Sequence, residues 1–290
     1  AAITAGAAPP IFFGGHCEGC GWRSACGETA AARRDIALLP GLSRQTWLHM
    51  RQTGMQTLDD LLALPESELS RFKGVGKVRA LEIHTHARSV VTGMPVPRHP
   101  LPDKVKLPGV MLDLETRLDD GRVWCFGWQG VSGRTEAAIV DAYCEMDDLT
   151  LPDGEVIHII PDSDTGWRLV AAAALELPGP VYHWGSFEKG VLRGSAPADV
   201  IAALDHRLLD LNRTFRQTVA VPVRGTSIKK VAPYLGFYWP DGADVFAAWA
   251  DYNRWLQDGD ALALARACAY NRADVDALAL IWRWMVDNQL

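Results

Sequence analysis

The chain lacks any run of 18 apolar residues, so we expect no segment of its 290 residues to span a membrane. It also lacks a basic leader at its start, which reads Ala-Ala-Ile-Thr, and we therefore expect a fragment or processed piece rather than a secreted protein. Cysteine is sparse: there are six, and three of them fall within ten residues near the start. That clustering favours a metal site in a reducing compartment over disulfide bonds, which predicts a cytoplasmic protein.

Charge is distributed unequally along the chain. The net charge of −6 consists of +4 over residues 1–108 and −10 over residues 109–290. The basic front part suits contact with polyanions, whereas the acidic rear part suits cation binding. A proline-dense stretch at the end of the front part predicts an extended linker over residues 94–108.

The cysteine cluster has the spacing Cys-x₂-Cys-x₅-Cys, formed by Cys17, Cys20 and Cys26. A Cys-x₂-Cys turn places two thiolates within reach of one soft metal centre. The fourth ligand could be His16, which would make a zinc knuckle, or a distant cysteine, or a residue outside this chain. The spacing resembles the C-terminal half of the iron–sulfur motif in RecB-family nucleases. The resemblance implies that residues 1–30 are the tail of a truncated upstream nuclease domain, whose 4Fe–4S cluster is completed only in the full-length protein.

Residues 31–93 predict a small all-α domain. Thr57 suits the N-cap of one helix, and Gly74-Val75-Gly76 precedes another that runs to about Val91. Glycines in such a turn permit close backbone approach, and the amides that open the following helix can bind phosphate. The pattern resembles a tandem helix-hairpin-helix module with a degenerate first copy at Pro40-Gly41-Leu42, and it implies contacts to the DNA backbone. The predicted DNA-binding residues are Lys73, Gly74, Gly76, Lys77 and Arg79. The alternative is a purely structural helical linker.

Residues 109–290 predict an α/β domain. Strands are predicted over residues 109–116, 121–128, 135–142 and 181–184, and residues 155–160 are predicted to form either a short strand or an extended loop. Helices are predicted over 165–177, near 198–215, 226–236 and 243–257, and over about 260–288. In the first strand Asp113 and Glu115 project from one face because side chains alternate. Two such carboxylates repel unless a cation lies between them, and oxygen ligands suit Mg²⁺ or Mn²⁺; the alternative is a strand end with two solvated acids. In the last helix Tyr270 and Asp274 share a face because they are four residues apart.

The ordered series Asp-x-Glu, Phe-Glu and Tyr-x₃-Asp resembles the DEDD exonucleases of the ribonuclease H-like superfamily, in the subtype with tyrosine in the last motif. The resemblance covers about residues 109–288 and implies a three-layer α/β fold, with a mixed sheet flanked by helices. It implies that the catalytic residues are Asp113, Glu115, Glu188, Tyr270 and Asp274. The four acids would hold two Mg²⁺ or Mn²⁺ ions, and the tyrosine would position the attacking water.

Two positions depart from that pattern. Glu188 stands where the family usually has aspartate, and Trp184 stands where it usually has asparagine. Asp210 is a competing acid from the next helical stretch, whereas Asp276 is expected to face elsewhere. The Lys229–Lys230 pair is expected on a solvated face, with contact to a phosphate as the alternative.

Together the three parts resemble bacterial RecB-like putative nucleases. This implies a metal-dependent 3′–5′ exonuclease that acts on DNA, single-stranded or at duplex ends, with no membrane association and with an upstream nuclease domain in the intact protein. One alternative is a catalytically degenerate nucleic-acid-binding or scaffold part of a larger nuclease, and another is RNA as the substrate. Five tryptophans could stack bases but are expected mainly to pack in the core: Trp239, Trp249, Trp255, Trp282 and Trp284.

Overall fold

The chain divides into two units, one of which is discontinuous in sequence. The computed structural model describes residues 10–14, 17, 19–152 and 154–288. The first unit comprises the described residues up to His99 together with Gln217–Thr226, and the second comprises Pro100–Arg216 and the residues from Ser227 onward. Among the described residues, no helix is both long and apolar enough to cross a membrane.

Helices build the first unit around a core that includes Trp47, Leu58 and Ile83. They are α1 (Arg23–Ala32), α2 (Arg44–Gln52), α3 (Leu58–Leu62), α4 (Glu66–Leu69) and α5 (Lys77–Thr92), and a short strand β1 (Val96–Pro97) follows. As predicted, Thr57 caps α3, because its side chain accepts the backbone N–H of Asp60, whose own side chain accepts the Thr57 N–H. Local capping therefore sets where α3 begins.

A mixed seven-stranded sheet forms the centre of the second unit. Its strands are β2 (Val110–Thr116), β3 (Val123–Gln129), β4 (Thr135–Val140), β5 (Asp148–Thr150), β6 (Val156–Ile160), β7 (Val181–His183) and β8 (Leu208–Asp210). The strand order across the sheet is β5-β6-β4-β3-β2-β7-β8. β2, β3 and β4 form an antiparallel meander, whereas β7 and β8 continue the sheet in parallel with β2, and β6 runs parallel to β4.

Helices cover both faces of the sheet. They are α6 (Ser163–Leu175), α7 (Phe187–Ser195), α8 (Ala198–Leu204), α9 (Leu211–Thr218), α10 (Ile228–Tyr234), α11 (Val245–Asp258) and α12 (Ala261–Asp287). One core cluster joins Leu112 and Leu114 of β2 to Trp167 of α6. A second cluster joins the sheet to Tyr252 of α11 and Leu264 of α12. The three-layer α/β fold predicted from the sequence is therefore confirmed.

The prediction of one helical stretch near residues 198–215 is wrong for residues 208–210. Residues 208–210 form β8, which pairs in parallel with β7 and separates α8 from α9. A short apolar run such as Leu208-Leu209 satisfies the pattern of a buried strand as well as that of a helix. Pairing with a partner strand decided between the two, and periodicity alone does not reveal that partner.

A last short strand returns the chain to the first unit. β9 (Val219–Ala220) pairs antiparallel with β1, and the register places Val96 opposite Ala220. The Arg98 backbone N–H extends this ladder by donating to the Thr218 carbonyl at 2.7 Å. Part of the stretch predicted to be a linker is thus paired as a strand.

Candidate active site

The central strand β2 presents two carboxylates on the sheet face opposite the Leu112 and Leu114 core. Asp113 and Glu115 each offer an oxygen to one group of possible metal ligands, in which all ligand atoms lie within 4.8 Å of one another. The third member of the group is Asp274. The alternation of side chains along a strand thus places the first two acids together, as predicted, and a third acid joins them from outside the strand.

The third carboxylate comes from α12, which packs across β2 and β3. Tyr270 lies one helical turn before Asp274, and its hydroxyl lowers the pKa of the Asp274 carboxyl. The structure therefore brings together Asp113, Glu115, Asp274 and Tyr270, four of the five residues that the sequence predicted for the site.

The fifth predicted residue, Glu188, lies beside this group but not within it. It is buried in the first turn of α7, and its Oε2 lies 3.1 Å from Nδ1 of His183, which is also buried. Its charge raises the pKa of both Asp113 and Glu115, so it lies within electrostatic reach of the cluster. Among the described residues, however, the converging ligand group does not include Glu188. Its role as a metal ligand stays a prediction.

Sequence reasoning missed the side chain that holds Asp113 in place. Asn271 is fully buried, and its Nδ2 donates to Asp113 Oδ2 at 2.7 Å. Gly127 of β3 stands directly opposite Asp113 in the strand register. A Cβ at this glycine would lie only 1.9 Å from Asn271 Oδ1. Glycine is therefore required here so that the asparagine can reach Asp113, but no local sequence signal distinguishes it from other strand glycines.

The sequence also missed two donors to Asp274. The Lys229 Nζ lies 2.5 Å from Asp274 Oδ1, and Trp239 Nε1 donates to the same oxygen at 2.7 Å. The Lys229 ammonium also lies over the Trp239 and Tyr270 rings, at 4.0 and 4.3 Å from their centroids. Lys229 is exposed, as the expected solvated face requires, but its ammonium also contacts the acidic cluster, which was not predicted.

The cluster strongly disfavours full ionisation of its acids. Burial, and then the neighbouring carboxylates, raise the pKa of Asp113 well above its ordinary value, and burial and Asp274 raise the pKa of Glu115 to about 8. Burial also raises the pKa of Asp274, although Lys229, Trp239 and Tyr270 oppose that shift. The pKa of the Tyr270 phenol is raised far above its ordinary value by burial and by the acids, so the tyrosine stays protonated. A divalent cation among the acids would relieve this repulsion.

The competing acids have other partners. Asp210 accepts the backbone N–H groups of Gly185 and Arg213, both at 3.0 Å, and so caps the start of α9. Asp276 accepts a hydrogen bond from the Thr135 hydroxyl, which confirms that it faces away from the cluster. Trp184, at the position where the resembled family has asparagine, packs near Phe215 with ring centroids 5.7 Å apart.

The other tryptophans mostly have structural partners, as expected. Trp255 and Trp249 belong to the second core cluster, and Trp282 Nε1 donates to the Val105 carbonyl at 2.8 Å. Trp284 lies near Phe215, with ring centroids 6.3 Å apart. Of the five tryptophans named from the sequence, Trp239 is thus the one that contacts the acidic cluster.

The predicted phosphate-binding turn lies in the first unit. Gly74 has φ +83°, and Gly76 is the N-cap of α5, a helix of 16 residues. Lys73 and Lys77 are exposed beside this turn. Arg79 instead donates to the Pro40 carbonyl at 2.6 Å and pairs with Glu82. It thereby joins the two predicted hairpin turns, since Pro40 belongs to the degenerate copy.

The three clustered cysteines do not form a converging ligand group among the residues that the structure describes. Cys20 is exposed, whereas Cys17 and Cys26 are half-buried. The Cys17 sulfur accepts the Gly14 N–H at 3.5 Å. His16, which could be a further ligand, lies outside the described residues. The zinc and iron–sulfur sites therefore stay predictions.

A mixed sheet between helical layers, with clustered carboxylates on its central strand, defines a ribonuclease H-like α/β protein with a candidate metal centre. Comparison with known protein families matches residues 110–286 to the RNase_H superfamily. The chain belongs to this superfamily, which indicates nuclease-type hydrolysis and binding of nucleic acid. Searches of curated proteins and of solved structures find no match to the chain.

Proposed function

We propose that this protein is a metal-dependent nuclease that hydrolyses phosphodiester bonds of DNA as a 3′–5′ exonuclease. The observation that carries the proposal is the convergence of Asp113, Glu115 and Asp274 within one RNase_H superfamily domain. This convergence favours catalysis over the alternative of a degenerate scaffold. Three clustered carboxylates repel one another, and a site that binds no metal gains nothing to offset that repulsion.

The donor set fits divalent ions. Three carboxylates with ligand atoms inside 4.8 Å match the hard oxygen ligands that Mg²⁺ and Mn²⁺ prefer. Asp113, Glu115 and Asp274 would hold one ion, and Glu188 would help to hold the second of the two predicted ions. Bound ions supply charge stabilisation for the attacking and leaving oxygens of the phosphodiester.

Residues of the chain prepare this site in three ways. Asn271 fixes the orientation of Asp113 through its hydrogen bond. The protonated Tyr270 hydroxyl offers a donor beside Asp274, where it can orient the attacking water. His183 holds the buried Glu188 carboxylate toward one side of the cluster.

We further propose that the first unit binds the DNA backbone through the turn before α5. Lys73, Gly74, Gly76 and Lys77 are exposed there, at the positively polarised N-terminus of a long helix. Arg79 stabilises this turn, because its guanidinium donates to the Pro40 carbonyl and forms an ion pair with Glu82. The resemblance to RecB-like nucleases extends the proposal to an upstream nuclease domain and an iron–sulfur cluster at Cys17, Cys20 and Cys26 in the intact protein.

The test is degradation of single-stranded DNA labelled at either the 5′ or the 3′ end, in Mn²⁺ or Mg²⁺. Wild type is compared with Asp113→Asn and Asp274→Asn, and Asp276→Asn serves as a matched control on the same helix. We expect immediate release of the 3′ label, abolished in the first two variants and retained in the control. RNA of the same sequence is assayed in parallel. Equal activity in wild type and Asp113→Asn, or none on either nucleic acid, would reject the proposal and favour the scaffold.

A further inference from the structure

Lys229 adds a fixed positive charge to the carboxylate cluster. Its Nζ lies 2.5 Å from Asp274 Oδ1, between the rings of Trp239 and Tyr270. The side chain is 39% exposed, yet it turns inward to the acids. Among the described residues, the neighbouring Lys230 forms no ion pair, so the contact belongs to one lysine and not to a generally basic helix.

The charge count of the cluster depends on this lysine. Carboxylates that bind metal do so in the deprotonated form, so Asp113, Glu115 and Asp274 supply three negative charges, and Glu188 in its proposed role as a ligand supplies a fourth. Lys229 and one divalent ion leave one negative charge uncompensated. A second divalent ion reverses this to one positive charge, which the single negative charge of a phosphodiester neutralises. Uncompensated charge in a poorly solvated site is unfavourable, so the second ion is best accommodated together with a phosphodiester.

We propose that Lys229 is a resident cation of the cluster, which limits the protein without nucleic acid to one tightly bound divalent ion and makes the second ion depend on a bound phosphodiester. The proposal rests on the metal-dependent function proposed above. Lys229 is a positioning residue in this scheme, because it acts through Asp274.

The test counts bound Mn²⁺ by isothermal titration calorimetry and by the electron paramagnetic resonance signal of free Mn²⁺. Wild type is titrated with and without a phosphorothioate-linked single-stranded oligonucleotide, which keeps one negative charge per linkage. We expect one ion without the oligonucleotide and two with it. Lys229→Met is expected to bind two ions without the oligonucleotide, the second at least tenfold more tightly than in wild type. Lys229→Arg keeps the charge and should behave as wild type, as should the matched control Lys230→Met.

The outcomes separate this proposal from the function on which it rests. If Lys229→Met binds the same number of ions as wild type with the same affinity, the role of Lys229 is refuted while the metal site stands. Two tight ions in wild type without nucleic acid would refute it equally. If wild type binds no Mn²⁺ that Asp113→Asn abolishes, the metal-dependent function fails as well. Lys229→Gln gives the same comparison if the methionine variant does not fold.

Discussion

The contact between β3 and α12 predicts that a single methyl group at Gly127 disturbs the acidic cluster. In Gly127→Ala the new Cβ would lie 1.9 Å from Asn271 Oδ1, 2.8 Å from its Cγ and 3.1 Å from Val275 Cγ2. Carbon and oxygen normally approach no closer than about 3.2 Å, so a fully buried side chain must move by roughly 1 Å. We expect this displacement of the Asn271 amide to break its hydrogen bond to Asp113.

The expected cost follows from two contributions. Overpacking of a tight core costs about 1–3 kcal/mol. Because the Asp113 pKa is raised in the metal-free protein, loss of its hydrogen bond is counted at the neutral value of about 0.5–1.5 kcal/mol, and the lower chain entropy of alanine in the unfolded state offsets roughly 0.5–1 kcal/mol. We therefore expect the free energy of unfolding to fall by about 1–4 kcal/mol, measured by urea denaturation of the metal-free protein. We also expect weaker Mn²⁺ binding, because Asp113 loses its orienting donor.

The matched control is Gly130→Ala, just beyond the end of the same strand, where the nearest side-chain atom lies at an ordinary 3.7 Å. This variant should unfold within about 1 kcal/mol of wild type. A double variant, Gly127→Ala with Asn271→Ala, should recover part of the overpacking cost, because the clashing amide is gone. Equal stability of the two alanine variants, or a double variant that shows simple additivity, would refute the reasoning.

Three further predictions concern other parts of the structure. Between pH 4.5 and about 8 the folded metal-free protein keeps a proton on Glu115 that the unfolded chain has lost. The free energy of unfolding of wild type should therefore fall by on the order of a few kcal/mol as pH rises through this range, and that of Glu115→Gln should fall by less. Urea denaturation at pH 5 and at pH 8 measures both changes. His183→Phe leaves the buried Glu188 carboxylate without its imidazole partner and should lower the free energy of unfolding by about 1–3 kcal/mol. His183→Asn keeps a hydrogen-bond donor and should lower it by less. Equal losses of stability in thermal melts of the two variants would contradict this contact. Arg79→Met should lower the melting temperature of the first unit, measured by calorimetry, because it removes the hydrogen bond to Pro40. Lys77→Met removes an exposed side chain and should leave the melting temperature unchanged. It should instead weaken binding to a DNA oligonucleotide, measured by fluorescence anisotropy.

The acids that follow local rules could be predicted from the sequence. Alternation along a strand places Asp113 and Glu115 on one face, and helical spacing aligns Tyr270 with Asp274. The order of strands and helices indicated the three-layer fold, and within such a fold the last helix can cross the central strand. Capping at Thr57 was equally local. These features depend on residues no more than four apart, together with one packing step.

The remaining features depend on contacts between distant parts of the chain. Asn271 reaches Asp113 across 158 positions, and Lys229 reaches Asp274 across 45. Neither residue type is unusual for its helix, so composition and spacing carry no sign of these partners. β8 was not predicted for the same reason. Residues 208–210 form a strand because they pair with β7, which lies more than 20 residues earlier in the chain.

The return of β9 to β1 has a consequence for biosynthesis. The first unit is interrupted between His99 and Gln217, and all seven strands of the large sheet are encoded within that interruption. A ribosome therefore releases every strand of the large sheet before the N-terminal unit receives its last element. A nascent chain that stops short of residue 217 leaves β1 with an unpaired edge, which is a recognised starting point for aggregation. Separating the two units by a single cut in the gene would create the same exposed edge.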